Sequence, residues 1–339
     1  MNASNDASIG RWVGIDVSKN KLDVALLDER GKVKNHVFAN DAKGHAALIA
    51  WLRDRAGDGT LFACMEATGP YSEAPGTALA DAGIVVSVVN PARVKGFGQS
   101  EMVRNKTDRA DAALLARFGQ AMRPEPWVAP AAEVRELRAL VERLSNLKDM
   151  QQQERNRCET ALSQPSTKTS IENHLTWLQS AIAELERAID DHIDRHPDLR
   201  SDAQLITSIP GVGNATAARV LAYLGDVRRF KNAKALAAFI GVTPRQRLSG
   251  TSVRGRSMIS RSGHASMRRS LYMPALVALK HNALIRAFGE RLKLTGLAPK
   301  AVVAACMHKL VMMIFGILKS GVPFNPNHGA GKLDFQDGI

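Results

Sequence analysis

This chain has little cysteine and, over one long stretch, almost no acid. Its three cysteines, Cys64, Cys158 and Cys306, lie far apart, and none belongs to a C-x-x-C pair. An odd, scattered set excludes a disulfide framework and a cysteine-built zinc site, and it fits a reducing compartment. Met1 to Gly10 is polar and lacks the apolar core of a secretion signal, so a cytoplasmic location is expected. No membrane span is expected either. The most apolar stretch, Ala301 to Leu318, is interrupted by His308 and Lys309; it reads as a buried helix, too short and too charged to cross a bilayer. Between Arg219 and Lys300 the only acids are Asp226 and Glu290.

What is present is positive charge. The 339 residues carry a formal net charge of +13 with a pI near 9.9, which favours a polyanionic partner. A hydrophobic share of 45% is ordinary for a globular chain, and the length allows two domains with separate cores. The charge is concentrated. From Arg245 to Arg269 there are seven arginines (245, 247, 254, 256, 261, 268 and 269) and no Asp or Glu. A solvated face would mix signs, whereas guanidinium forks match phosphate oxygens, so Arg245, Arg247, Arg254, Arg256, Arg261, Arg268 and Arg269 are candidates for nucleic-acid contact.

The first third alternates strands and helices. Val13–Val17, Leu22–Leu27 and Val33–Phe38 read as three strands joined by tight turns. A helix at Ala42–Arg53, a strand at Leu61–Met65, a helix at Pro70–Ala82 and a strand at Ile84–Val89 follow, until Asn90-Pro91 breaks the pattern. Hairpin-linked strands first and crossovers afterwards is the order of an RNase H-like fold.

Four acids occupy or adjoin these apolar segments: Asp16 in the first strand, Glu66 ending the fourth, and Asp108 and Asp111 at a helix start. Singly, each has an ordinary reading. Asp108 could be an N-cap, Asp111 a first-turn acid and Glu66 a cap for the helix near Pro70. Jointly they suit a divalent metal, because carboxylates in apolar surroundings need a cation, and the i, i+3 pair shares one helix face.

Farther on, Val134, Leu137, Val141 and Leu144, then Leu175, Leu178, Ile182, Leu185 and Ile189, follow helical spacing on either side of a break at Gln164–Thr169. This predicts a helical hairpin with coiled-coil character, either an arm or two helices packed on their own domain, closed by Pro197. Ser208-Ile-Pro-Gly-Val-Gly213 then leads straight into a helix. With Gly211 and Gly213 it suggests a helix-hairpin-helix element gripping a phosphate backbone, or a simple connector. In the Gly-rich loop Leu248–Arg256, a hydroxyl among arginines is either a phosphate contact or a nucleophile, and chemistry alone does not choose among Ser249, Ser252 and Ser257. His264 is the nearest candidate base, with a surface or phosphate-contact role the simpler reading.

Gly14-Ile-Asp-Val-Ser-Lys19, Glu66-Ala-Thr-Gly-Pro-Tyr71, Asn105-Lys-Thr-Asp-Arg-Ala-Asp111 and Ser249-Gly-Thr-Ser-Val-Arg-Gly255 together resemble the DEDD transposases of insertion sequences, relatives of the Piv invertases. Ile259–His264 and Arg268–Ala275 strengthen the resemblance, which runs from about Arg11 to Pro326. It implies a RuvC-like domain at 11–130, a coiled-coil hairpin at 131–198 and a mainly helical transposase domain at 199–326, with tails at 1–10 and 327–339. It implies that Asp16, Glu66, Asp108 and Asp111 bind Mg2+ or Mn2+, with two ions about 4 Å apart. It further implies a nucleophilic Ser249, a structured bridge RNA pairing with donor and target DNA, and a homo-oligomer, dimer or tetramer, in which one subunit's acids meet another's serine. The rival readings are a RuvC-class nuclease using metal-activated water, an actin-like ATPase (which lacks a second phosphate motif here) and a non-enzymatic nucleic-acid scaffold.

Overall fold

The computed structural model describes residues 10–327, except 29, 58, 68, 102–106, 161–163, 246–247, 250–252, 255–257 and 261–262. The chain divides into two compact units, Met1–Ala129 and Pro130–Ile339.

Unit 1 opens with β1 (Arg11–Val17), β2 (Lys21–Leu27) and β3 (Val33–Ala39), all antiparallel because short turns join them. At the second turn Asp28 Oδ1 accepts the backbone N–H groups of Arg30 and Lys32, at 3.0 and 2.8 Å. Then come α1 (Ala42–Ala56), β4 (Leu61–Glu66), α2 (Pro70–Asp81), β5 (Val85–Val89), α3 (Pro91–Ser100) and α4 (Asp108–Met122). The sheet order is β3-β2-β1-β4-β5, with β1, β4 and β5 parallel. This is the RNase H-like arrangement anticipated from the sequence, and each strand falls close to its expected bounds.

Strand alternation sorts the side chains between two faces. Val13, Ile15 and Val17, with Leu22, Val24 and Leu26, pack on Leu48 and Leu52 of α1 and Leu79 of α2. The largest of these are fully buried, each worth about 1.5–3 kcal/mol relative to exposure. On the other face Cys64 and Val89 pack on Val94 of α3 and on Leu114, Leu115 and Phe118 of α4. β1 turns Trp12, Gly14 and Asp16 toward α4. A β-carbon on Gly14 would overlap the Ala112 carbonyl and the Ala116 amide, and one on Gly119 would lie 2.9 Å from the Trp12 ring. The missing side chains let α4 settle directly on the sheet.

Unit 2 starts with α5 (Ala132–Thr160) and α6 (Pro165–Arg195). The stretch Gln164–Thr169, which reads as a break, is mostly helix: Pro165 stands at the first helical position, where its missing N–H costs nothing. Pro197 likewise opens α7 (Pro197–Thr207) rather than closing the hairpin. There follow α8 (Asn214–Leu224), a 3-10 turn at Val227–Arg229, α9 (Ala233–Ile240) and four two-residue strands: β6 (Pro244–Arg245), β7 (Leu248–Ser249), β8 (Val253–Arg254) and β9 (Met258–Ile259). β6 pairs with β9 and β7 with β8. The last described helices are α10 (Ala265–Ser270), α11 (Tyr272–His281), α12 (Ala283–Leu294) and α13 (Pro299–Ser320).

Val134, Leu137, Val141, Leu144 and Leu147 of α5, with Leu178, Ile182, Ile189 and Ile193 of α6, join one continuous core with α7–α9 and α11–α13. The hairpin therefore shares its core with the helices that follow. α13 corrects one expectation. With 22 residues and a mean hydropathy of 2.1 over its most apolar window, it is long and apolar enough to cross a membrane. What marks it as a core helix is that Cys306, Leu310, Val311, Ile314 and Leu318 are buried among the neighbouring helices.

Candidate metal centre

Asp16 stands on β1 between two neighbouring strands. Across from it on β2 is Asp23, its direct register partner. On the other side, Glu66 ends β4. All three lie on the face that α4 covers. Thr107 caps α4, its Oγ1 accepting the Ala110 N–H at 3.2 Å, so Asp108 is not the cap but the first helical residue. Glu66 does not cap α2 either, since Gly69 takes that position without a side-chain bond. The two ordinary readings that would have removed these acids from a shared site therefore fail.

Their electrostatics tie the acids together. Burial raises the Asp16 pKa above the usual carboxylate value, and the charges of Asp108, Asp111 and Asp23 raise it further. Burial likewise raises Glu66, with Asp16 and Asp111 adding to it. Asp108 is lowered instead, because Lys21 Nζ donates to its Oδ2 at 2.6 Å. Donor oxygens of Asp16, Asp23 and Asp108 all lie within 4.8 Å of one another. A crowded all-oxygen set whose members repel one another fits a hard divalent cation, whose charge would relieve the repulsion. Glu66 and Asp111 stand outside that tightest group, yet both are coupled to it: the charge of Asp111 raises Asp16, and the charges of Asp16 and Asp111 raise Glu66.

Asp23 did not emerge from the sequence as a site residue. A signal was present: a turn this tight pairs Val17 with Leu22 and so sets residue 16 opposite residue 23.

A second polar network holds the end of the sheet that carries the acids. Asn40 Nδ2 donates to the Ser18 carbonyl at 2.8 Å and to the Tyr71 carbonyl at 3.2 Å. Its Oδ1 lies 2.8 Å from Nε2 of buried His45. One amide thus ties the turn after Asp16 to the helix after Glu66. Cys64, two residues before Glu66, is pushed up to about 12 by burial, so it remains a thiol and not a nucleophile.

In unit 2, Gly211 has φ +100, and a β-carbon there would lie 2.7 Å from Ala278 Cα, so only glycine lets this turn seat against α11. Gly213 is the N-cap of α8, with open space where a side chain would be. Arg268 is half-buried, and its Nη1 donates to the Ile240 carbonyl at 3.2 Å, anchoring α10 to the end of α9. Arg269 is exposed. His264 is neither a surface group nor a free base. Half-buried, it accepts the Met267 N–H at Nδ1 (3.3 Å) as the cap of α10, and burial, then Arg138 and Arg268, lower its pKa. The backbone of Ser249 pairs with Val253. Arg247, Arg256, Arg261, Ser252 and Ser257, and the side chains of Ser249, Arg245 and Arg254, lie outside the described residues.

Comparison with known proteins gives consistent matches. A family model described as transposase, of the IS110 DEDD type, matches residues 13–166, and one described as transposase IS116/IS110/IS902 family matches residues 203–290. The chain is 32% identical over 316 residues to the pilin gene-inverting proteins of Moraxella lacunata and Moraxella bovis, covering 93% of this chain and 97% of each relative. It is 27% identical over 299 residues to the transposase for insertion sequence element IS1111A of Coxiella burnetii, covering 79% of this chain and 78% of that one. Among solved structures, T. thermophilus RuvC in complex with a Holliday junction substrate matches 34% of this chain and 99% of its own, at 15% identity and a TM-score of 0.27. So loose a superposition carries no weight, and the fold is assigned from strand order and direction.

Proposed function

The chain belongs to the IS116/IS110/IS902 family of DEDD transposases, and from that membership we propose that it cuts and exchanges strands between the donor site of a mobile element and a target site, with sequence choice supplied by a structured bridge RNA. The observation that carries this reading is the gathering of Asp16, Glu66, Asp108 and Asp111 at one end of the central strands, with Asp16 in their midst. These four would hold Mg2+ or Mn2+, two ions per site, which when bound supply Lewis-acid polarisation of the scissile phosphate.

The protein's own residues do the rest. Ser249 Oγ attacks phosphorus; the Ser–O–P bond forms, the bond to the leaving 3′ oxygen breaks, and that oxygen takes a proton. The 5′ phosphate is then held as a phosphoserine ester. A 3′-hydroxyl from a partner strand attacks it, the serine leaves, and the bond energy is conserved through exchange. Arg245, Arg247, Arg254, Arg256, Arg261 and Arg269 neutralise phosphate charge, and the Gly211–Gly213 turn holds the backbone at the start of α8. Acids and serine are contributed by different subunits of a homo-oligomer, dimer or tetramer.

The test uses the purified protein with its co-purifying RNA and synthetic donor and target duplexes. Wild type should cut and leave a covalent protein–DNA adduct on denaturing gels, whereas Ser249→Ala and Asp16→Asn should do neither. Cleavage retained by Ser249→Ala would establish the rival water-using nuclease. Sequencing the bound RNA should return one discrete species that pairs with both DNAs, and random cellular RNA would overturn the guided reading.

A further inference from the structure

We infer that Asp23 is a fifth metal ligand of the acidic centre, and that Lys21 is a resident counter-ion holding the cation's place. The inference rests on the metal-centre reading above and extends it to two residues outside the four-acid set.

Asp23 is 5% exposed, the most buried of the acids in this cluster. A carboxylate at that depth costs several kcal/mol unless a cation stands beside it. Here the cation is Lys21 Nζ, 2.9 Å from Asp23 Oδ2. The same ammonium lies 2.6 Å from Asp108 Oδ2, so it links an acid on β2 to an acid on α4. Asp16, the register partner of Asp23, brings the third oxygen within the 4.8 Å span.

A pair that was only structural would match one cation to one acid. This ammonium supplies one positive charge to three clustered carboxylates. A dication compensates them better and can take oxygens of all three at once. Lys21 is also built to leave. Its side chain is 45% exposed on a long flexible stem, so the head group can swing into solvent without moving β2. Once freed, it is a positive charge beside the acids, available to a phosphodiester. Asp23 has no such freedom: held at the α4-covered face, it can only stay and coordinate.

The experiment is Mn2+ titration of the full chain by calorimetry, backed by thermal melts in chelator. Asp23→Asn should weaken Mn2+ binding by about tenfold or more. Lys21→Met should bind Mn2+ more tightly than wild type, melt lower in chelator, and regain its stability when Mn2+ is added. Should Asp23→Asn fail to fold, the double variant Lys21→Met/Asp23→Asn removes the buried charge together with its partner, and its affinity is compared with Lys21→Met alone. An affinity within about twofold of the reference when Asp23 is neutralised sinks the ligand assignment. Unchanged or weaker binding by Lys21→Met sinks the place-holder assignment. Asp16→Asn separates this inference from its foundation: if it binds Mn2+ as well as wild type, or wild type binds none, the metal centre itself fails. Loss with Asp16→Asn but not with Asp23→Asn overturns only the fifth ligand.

Discussion

Gly14 and Ala112 leave no room for a side chain between them: a β-carbon on Gly14 would overlap the Ala112 carbonyl oxygen. Because α4 carries Asp108 and Asp111, the absence of one methyl group sets how near these acids come to Asp16. Gly14→Ala should therefore destabilise unit 1 by about 1–3 kcal/mol, the usual cost of overpacking. It should also weaken Mn2+ binding. Urea unfolding and metal titration measure the two effects, and a variant as stable as wild type would remove the argument that α4 is seated through this glycine.

Asp16→Asn should change sign with metal. Burial and neighbouring acids hold Asp16 above its ordinary pKa, so its ionised form is disfavoured in the metal-free fold. Neutralising it should leave the chelated protein at least as stable as wild type, and should abolish the stabilisation that added Mn2+ brings. The same shift predicts a pH trend for the chelated wild type. For Asp16 and Glu66, stability is fully present below the ordinary carboxylate values and is lost as pH rises through their raised folded values. Melting curves with and without Mn2+ decide both points, and a chelated Asp16→Asn that melts well below wild type would show the acid to be a structural element.

His45 should act in the opposite direction. Burial lowers its pKa from 6.5, so the unfolded chain takes up this proton more readily than the folded one. Its contribution is present above pH 6.5 and is lost as pH falls through the lower folded value. His45→Gln keeps an amide donor for Asn40 and cannot titrate. Relative to wild type, it should lose less stability between about pH 7 and about pH 5 in thermal melts. Parallel curves would show that His45 does not titrate on unfolding.

Arg268 and Arg269 are adjacent and should fail differently. Arg269→Ala removes an exposed charge; it should leave stability unchanged and reduce the salt dependence of DNA or RNA binding by about one phosphate contact. Arg268→Ala removes the bond to the Ile240 carbonyl and should cost about 1 kcal/mol or more in denaturation. Equal salt slopes for Arg269→Ala and wild type would place Arg269 outside the nucleic-acid interface.

The strands of unit 1 were legible because Val13, Ile15 and Val17 alternate with residues of the other face, and because Asp28-Glu-Arg-Gly and Asn90-Pro91 are turn and breaker signals. Helix spacing put Asp108 and Asp111 on one helix face, but that this helix lies over the sheet face carrying Asp16 is visible only in the packing of α4 on Gly14. Asp23 was hidden inside Leu22–Leu27, a segment whose apolar character masked one acid, although the turn arithmetic pointed to it. The bond from Arg268 to the Ile240 carbonyl was not legible, because sequence displays charge and not the carbonyl that a guanidinium meets. Pro165 was taken for a breaker because the same residue starts a helix or stops one, depending on which side the helix lies. Gly14 stood in view within Gly-Ile-Asp, but nothing in the sequence says what lies above a glycine.

The seat of α4 on β1 makes this helix a ruler. Trp12 meets Gly119, Gly14 meets Ala112 and Ala116, and Asp16 answers the acids of the first turn. One residue added or removed between Asp111 and Ala112 would turn Asp108 and Asp111 by about 100° around the helix axis and carry them off the sheet. Insertions and deletions can therefore be absorbed ahead of Thr107 or beyond Met122, but within α4 the count of residues itself sets how the acids of its first turn meet Asp16.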